Sequence, residues 1–412
     1  ATVAQRPTSA APAASRSMSS PFDSARSFDV AVIGAGVAGL AAALGLAQQG
    51  LRVALVGPTA RQHAPRADAP FDARIYALSS STIEILARLK VWGQVDASRL
   101  QPVSRMRVFG DDGDELSFDA YVARVARLAT IGEESELLRV LSLAAGFAPG
   151  LARITAGMRT LDVGPRAATV TLDDGSVLTA ALVVGADGAG SAVRAAAGIF
   201  ADEQPYPHTA VVANFTCEQP HDGVAWQWFC GEGVVALLPL PGRAVSLVWS
   251  APHALADELR AMSPDELAAR VTARSGGALG ALAALGPTYG FPLRRLTVDR
   301  LVVPRVALVG DAAHVVHPLA GQGLNLGMQD VSTLLDVVKA RESWRDAGDL
   351  VLLRRYARAR AEPIGLIRFT TDSLARLFAV DDPLVRSFRN RGMAWVNRTG
   401  PLKSALIRHA LG

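Results

Sequence analysis

At three places along the chain apolar residues run unbroken instead of alternating with polar ones, and each run stops at glycine: "VAVIGAG" at residues 30–36, "LVVGADG" at 182–188 and "VALVGDA" at 306–312. A short continuous apolar run suits a strand buried on both faces of a parallel sheet. After the first run, residues 37–49 carry a helical pattern closed by Gly50, and residues 52–56 form the next strand, so the segment reads as a β-α-β unit. Before the second run, residues 168–181 alternate around Asp173-Asp174-Gly175, which predicts a hairpin. After the third, a loop containing Pro318, Gly321 and Gly323 leads into a helix from about Leu324, with apolar Leu334, Leu335, Val337 and Val338.

The remaining stretches differ in texture. Residues 205–300 hold short or alternating apolar runs ("HTAVVANF", "GVAWQWFC", "GVVALLPL", "AVSLVW"), the pattern of an antiparallel sheet placed between the second and third glycine bends. Residues 349–412 mix apolar and Arg positions at helical spacing. Residues 1–28 are rich in Ala, Ser and Pro and have neither period, so they are expected to form a disordered tail. The tail lacks the apolar core of a secretory signal; an organellar transit peptide and a chain start at Met18 stay as alternatives. The predicted fold class is α/β, a Rossmann-like domain with an inserted antiparallel β-sheet domain and a C-terminal helical region.

Composition narrows the class. A length of 412 residues with 50% hydrophobic content supports a large core and more than one domain. Lys and Arg number 42 against 38 acids, with no basic run of five, which gives no support for nucleic-acid binding. Only Lys90, Lys339 and Lys403 are lysines, so the positive charge is carried by arginine. Cys217 and Cys230 are too few for a disulfide framework and fit reduced thiols in the cytoplasm. No stretch reaches eighteen consecutive apolar residues, the length of a transmembrane helix.

The candidate chemistry lies in the glycine bends. Gly34, Gly36 and Gly39 make G-x-G-x-x-G at a strand-to-helix turn, with Val37 and Ala38 opening the helix. In that setting the first glycine permits the turn, the second admits a pyrophosphate and the third lets helix pack on strand. The acid expected at the end of the second strand is absent: Gly57 stands there, leaving backbone groups, Thr59 or Arg61 to take a ribose hydroxyl. His314 and His317 are three apart, but they lack the intervening Glu of a helical zinc motif and have only Asp311 as a near carboxylate, so no metal is expected.

Taken in order and spacing, the three bends resemble the FAD-binding, DG and GD fingerprints of the aromatic-ring flavin hydroxylases, the class A flavoprotein monooxygenases. "GDAAHVVHPLAGQGLNLGMQD" is closer still to that family's ubiquinone-biosynthesis hydroxylases, as are "DARIYALSSST" from Asp72, "WQWFCGEGVVALLPLP" from Trp226, "FPLRR" from Phe291 and "PLKSALIRHALG" at the C-terminus. The likeness spans residues 29–412; it departs at Gly57 and at "GEESELL", where relatives usually carry Glu-Asn. "WQW" also resembles the W-x-W of flavin halogenases, but the Ile-Pro that follows there is missing, and no lysine lies between Lys90 and Lys339.

The resemblance implies FAD held by Gly34, Gly36, Val37, Ala38, Gly39, Arg74, Asp187, Gly188, Gly310, Asp311, Pro318, Gly321, Gly323, Leu324 and Asn325. NADH or NADPH would reduce the flavin. O2 would then react through a C4a-hydroperoxyflavin, so the cofactor carries the chemistry and no side chain stands out as catalytic. A discontinuous FAD-binding domain is expected at residues 29–100, 125–204 and 296–348, with a substrate domain at 101–124 and 205–295. Gln227, Phe229, Leu238 and Pro239 are the substrate-site candidates, with Trp226, Trp228 and Phe291 beside them; for any one of the six apolar residues, ordinary sheet core is the favoured reading. The implied substrate is an aromatic small molecule, a polyprenylated phenol of ubiquinone synthesis, with peripheral contact to the inner membrane or a multi-enzyme complex as partners. Two alternatives stay open: hydroxylation of a soluble phenol or polyketide, and a flavin-binding subunit without turnover.

Overall fold

In the computed structural model, residues 26–58, 70–110, 115–316 and 321–379 are described. A mostly parallel sheet forms the first layer. Its strands run in the order Val302–Val303, Val306–Leu308, Val177–Gly185, Arg26–Ile33, Val53–Val56 and Leu151–Ile154, with the Met158–Val163 and Ala168–Leu172 hairpin added antiparallel to Val177–Gly185. All three apolar runs that end in glycine are neighbours in this sheet. Val30–Ile33, Leu182–Val184 and Val306–Leu308 are almost wholly buried, as runs covered on both faces must be.

The first strand begins at Arg26, inside the stretch read from sequence as disordered, because Arg26 and Ser27 pair with Leu178 and Thr179. Helix Val37–Gln48 crosses behind the sheet and buries ten of its twelve residues. Its run of alanines and glycines suits so crowded a position. At Gly45 an added Cβ would lie 2.4 Å from Leu335 Cδ1, so the glycine sets how closely helix Gln322–Lys339 packs against it. That second helix starts at Gln322, two residues earlier than the apolar pattern suggested, with Gly321 at φ 61° as its N-cap.

The second layer is a nine-stranded, mainly antiparallel sheet. Its path is His314–Val315, Tyr289–Val298, Ala201–Cys217, Ala244–Pro252, Gly233–Leu240, Val224–Cys230, Arg105–Phe109 and Glu115–Asp119, with Leu282–Ala284 beside Ala201–Cys217. One face packs on helices His253–Ala261 and Pro264–Arg274 and holds Phe215, Trp226, Trp228, Leu247 and Trp249. Both tryptophans of "WQW" are therefore core. The other face turns to a small third sheet and the loop before it: Leu238, Leu240 and Ala225 cluster with Phe71, Ile75, Ala77 and Ile131. Gln101–Val103 belongs to neither sheet; it pairs with Ala129–Glu133 in a three-stranded sheet that also holds Ile75–Leu78.

Helix Leu350–Ala379 covers the back of the first layer, where buried Tyr356 donates to Leu308 O at 2.7 Å. Among the described residues, no helix is long and apolar enough to cross a membrane.

Candidate active site

The ends of the three apolar strands meet. Gly34 takes φ +111°, and a Cβ there would fall 2.2 Å from Ala186 O. A Cβ on Gly39 would fall 1.9 Å from Gly34 O. Gly310 (φ +61°) lies beside Ala38, and a Cβ on Gly327 would come within 3.0 Å of Gly310 Cα. Gly34, Gly39 and Gly327 are required because backbone meets backbone, and Gly310 by its positive φ.

Gly36 is different. Its φ of −73° is open to any residue, and a Cβ there would meet nothing within 4 Å. It caps helix Val37–Gln48 with no side-chain hydrogen bond and no acid in the first turn, so the first N–H groups of that helix face open space. Gly323, in the first turn of helix Gln322–Lys339, likewise has nothing within 4 Å of an added Cβ. Each of these two helix N-termini carries a glycine that packing among the described residues does not demand. Such ends attract an anion through unpaired N–H groups and the helix dipole.

Asp311 follows Gly310, which lies against Ala38 of the one helix and Gly327 of the other. Its side chain is exposed, and among the described residues it accepts no hydrogen bond. Protein mass on the remaining sides still costs it solvation. Burial pushes its carboxyl above the usual range, against the pull of His314, Arg74 and Arg294. The backbone beneath it is rigid: Gly310 N donates to Asp330 Oδ2 at 3.0 Å, His314 Nε2 lies 2.6 Å from the same oxygen, and Arg360 Nε donates to Asp330 Oδ1 at 2.7 Å. All three side chains are buried. His314 is thus paired to a carboxylate, and no cluster of three His, Cys, Asp or Glu occurs among the described residues. His317 and Pro318 lie outside the described residues, as do Thr59 and Arg61.

Two predicted cofactor contacts are otherwise engaged. Asp187 accepts from Ser191 Oγ (2.5 Å) and Val193 N (3.1 Å), so its carboxylate caps helix Ala192–Ala196 and shapes the turn holding Gly188. Asn325 is spent as well: Oδ1 accepts from Ser79 N and Thr82 Oγ1, and Nδ2 donates to Ala77 O and Gly321 O. It ties the second helix to strand Ile75–Leu78. Both side chains thus support the loops in which the glycines stand. Val37, Ala38 and Leu324 offer backbone only.

Arg74 projects from the start of that strand. Its guanidinium lies 3.4 Å from Glu134 and 5.6 Å from the centre of the Phe291 ring, bridging the two layers. Tyr76 Oη donates to Glu134 Oε1 at 2.8 Å. Burial first, and the Glu134 charge second, push this phenol well above its usual range, so it remains a donor. Sequence reading singled out Arg74 but not Tyr76 and Glu134, although both lie in segments it quoted, "DARIYALSSST" and "GEESELL". Glu133 beside it is committed elsewhere, to a buried bidentate pair with Arg99 at 2.6 and 2.7 Å.

Register decides which sheet residues face the cleft. Phe229, Val234, Ser250, Ala210 and Phe291 are successive cross-strand partners and form one row; Gln227, Ala236, Val248, Val212 and Tyr289 form the next. Asn214, which donates to Phe71 O and Asp72 O, marks this face as the one toward the loop that carries Arg74. Leu238 pairs with Ser246 on the same side. Pro239 does not belong with them: it pairs with Val245, and alternation turns both to the helix-packed face.

The group that fits these parts has a pyrophosphate for one helix end, hydroxyls for Asp311 and a flat ring system to lie between glycine loop and apolar sheet. FAD has all three. Residues 27–364 match the family of FAD binding domains. The chain belongs to this family of FAD-dependent monooxygenases. It is 34% identical over 390 residues to the 3-demethoxyubiquinol 3-hydroxylase of Escherichia coli (93% of this chain, 98% of the relative). It is 35% identical over 395 residues to the ubiquinone hydroxylase UbiL of Rhodospirillum rubrum (93% and 89%). Among solved structures, P. aeruginosa PqsL in complex with 2-aminobenzoylacetate superposes with a TM-score of 0.75 at 26% identity, covering 90% of this chain and all of that one.

Proposed function

We propose that this FAD-dependent monooxygenase hydroxylates the aromatic ring of a polyprenylated phenol in ubiquinone biosynthesis, using NADH or NADPH and O2. The observation that carries the reading is the pair of open glycines, Gly36 and Gly323, at two helix ends flanking the unengaged Asp311. The names of the relatives at 34% and 35% identity support the substrate class.

Bound FAD supplies the redox and oxygen chemistry. The protein's share is placement. The N–H groups after Gly36 would hold the pyrophosphate, and Asp311 would accept from a ribityl hydroxyl. The helix end at Gly321–Gly323 favours negative charge set against it by about 0.3–1 kcal/mol. The apolar face of the second sheet, with half-buried Val234, Ala236, Leu238 and Val248, would bear on the substrate ring and keep water out. A phenol is activated by its own hydroxyl, so the site needs no strong base. Leu366 and Phe369 are exposed on the distal half of helix Leu350–Ala379, which supports a lipid surface as the source of a prenylated substrate.

The test is direct. Purified protein should carry a flavin spectrum and oxidise NAD(P)H faster when a short-chain prenylphenol is added. Stimulation by a soluble phenol alone would reassign the substrate, and a flavin that NAD(P)H never reduces would make the protein a non-catalytic flavin carrier. Deleting the gene and identifying the accumulated intermediate by mass spectrometry would name the hydroxylated position.

A further inference from the structure

The sheet face turned to the cofactor domain is apolar except for a few side chains, and two of those, Ser246 and Ser250, hold buried hydroxyls without a partner. Ser250 sits on strand Ala244–Pro252, between Ala210 on one neighbouring strand and Val234 on the other. It is 5% exposed, and its Oγ is a buried atom with no hydrogen-bond partner. Leaving a buried hydroxyl unpaired is unfavourable, so native proteins rarely keep one without a use. Its row ends at Phe291, whose ring lies under the Arg74 guanidinium beside Glu134, and Asp311 feels the Arg74 charge. The same strand, Tyr289–Val298, pairs at Leu296 and Thr297 with Val315 and His314, just after the Gly310–Asp311 bend. Ser250 therefore stands toward the end of the sheet that runs to that bend, with half-buried Val234 next to it.

We infer that the Ser250 hydroxyl is a substrate-positioning group that hydrogen-bonds an oxygen substituent of the aromatic ring. A serine Oγ both donates and accepts, so it serves a hydroxyl or an ether oxygen, and rotation about χ1 brings it to the ligand. On an apolar floor one such group sets the rotation of a flat ring in its plane, and with it which carbon faces the flavin. Ser246 is a natural comparison. Its Oγ is equally unpartnered, but it lies in the row of Asn214, which is tied to the Phe71–Asp72 backbone, and the residue is 0% exposed.

The inference rests on the proposed hydroxylase reading, and the experiment separates the two. The FAD-loaded protein is titrated with a short-chain prenylphenol and with its analogue lacking the phenolic oxygen, following the flavin absorbance change. If the wild type responds to neither, the hydroxylase reading falls and this inference with it. If it binds the phenol, Ser250→Ala should weaken phenol binding about 3- to 10-fold, the range of one neutral hydrogen bond, while leaving the analogue unchanged. Ser246→Ala should alter neither affinity. The thermal midpoint of Ser250→Ala holoprotein should match or exceed the wild type, since an unpaired buried hydroxyl is removed. Equal phenol affinity in wild type and Ser250→Ala, or equal losses for phenol and analogue, would overturn the assignment and leave Ser250 a structural residue served by water.

Discussion

Substituting the glycines of the first bend should separate those that the fold needs from the one that the ligand needs. Gly39→Ala puts a methyl 1.9 Å from Gly34 O, and Gly34→Ala puts one 2.2 Å from Ala186 O at a φ of +111°. Real Cβ atoms do not approach backbone so closely, so helix Val37–Gln48 must shift and both variants should be poorly folded. Gly36→Ser meets no atom within 4 Å at an ordinary φ of −73°. Serine is also a better N-cap than glycine by a few tenths of a kcal/mol, so the apoprotein should be as stable as wild type or slightly more so. FAD binding should suffer all the same. The side chain would occupy the path of the pyrophosphate and hold it off the helix end, losing one or two charge-assisted hydrogen bonds worth about 1.5–3 kcal/mol each in part or whole. A loss of about 2–4 kcal/mol is roughly a 30- to 1,000-fold rise in Kd. The assay is paired: thermal unfolding of apoprotein, and FAD titration followed by quenching of flavin fluorescence. Wild-type FAD affinity in Gly36→Ser would refute the reasoning, as would unfolding as severe as that of Gly39→Ala.

Four further outcomes follow from the structure. Asp311→Ala should weaken FAD by roughly 10- to 150-fold, one charged hydrogen bond, without lowering apoprotein stability; unchanged flavin occupancy after dialysis would exclude the assignment. Because burial raises the Asp311 carboxyl, it takes up its proton at a higher pH than an ordinary aspartate, and FAD affinity should begin to fall correspondingly early on acidification. Asp330→Ala leaves Arg360 buried without its carboxylate and Gly310 N without its acceptor, and should cost about 3–5 kcal/mol of unfolding free energy; a loss under about 1 kcal/mol by denaturant titration would contradict the network. The hydrogen bond from Arg355 holds the Glu342 carboxyl down at about 2, against an ordinary 4.5. A depressed carboxyl stabilises the fold above its unfolded pKa and stops doing so as pH falls from 4.5 toward 2. Proteolysis of helix Leu350–Ala379 should therefore accelerate across that window in the wild type, and less so in Glu342→Gln.

The sequence made the first layer legible because its signals are local and doubly constrained. A strand buried on both faces must be continuously apolar, and the bend after it must contain glycine, so Val30–Ile33, Leu182–Val184 and Val306–Leu308 announce themselves. What each polar side chain does in the bend is not local. Asp187 and Asn325 have the composition of ligand contacts, yet their partners, Ser191 and Val193 for one, Ser79, Thr82 and Ala77 for the other, depend on how loops fold back. The second layer hides its meaning in parity. Leu238 and Pro239 are adjacent and equally apolar, and only the register with Ser246 and Val245 sends them to opposite faces. Ser250 escaped notice for the same reason: in "AVSLVWSAP" it is one small polar residue among many until the pairing shows where it points.

Sorting glycines by what an added Cβ would touch also bears on the missing ribose-binding acid. At Gly57 a Cβ would lie 3.0 Å from Ala35 N and 3.2 Å from Ala35 Cβ, tighter than ordinary contact and directed at the residue between Gly34 and Gly36. Any side chain at position 57 thus presses on the segment that presents the pyrophosphate site, and with alanine at 35 a glycine at 57 lets the loop relax. Gly57→Glu is accordingly a two-sided change: it supplies a hydroxyl acceptor but crowds Ala35, and Ala35→Gly beside it should relieve the crowding. The double variant should bind FAD more tightly than Gly57→Glu alone. If Ala35→Gly instead adds nothing, the contact at position 35 is not what governs the residue at 57.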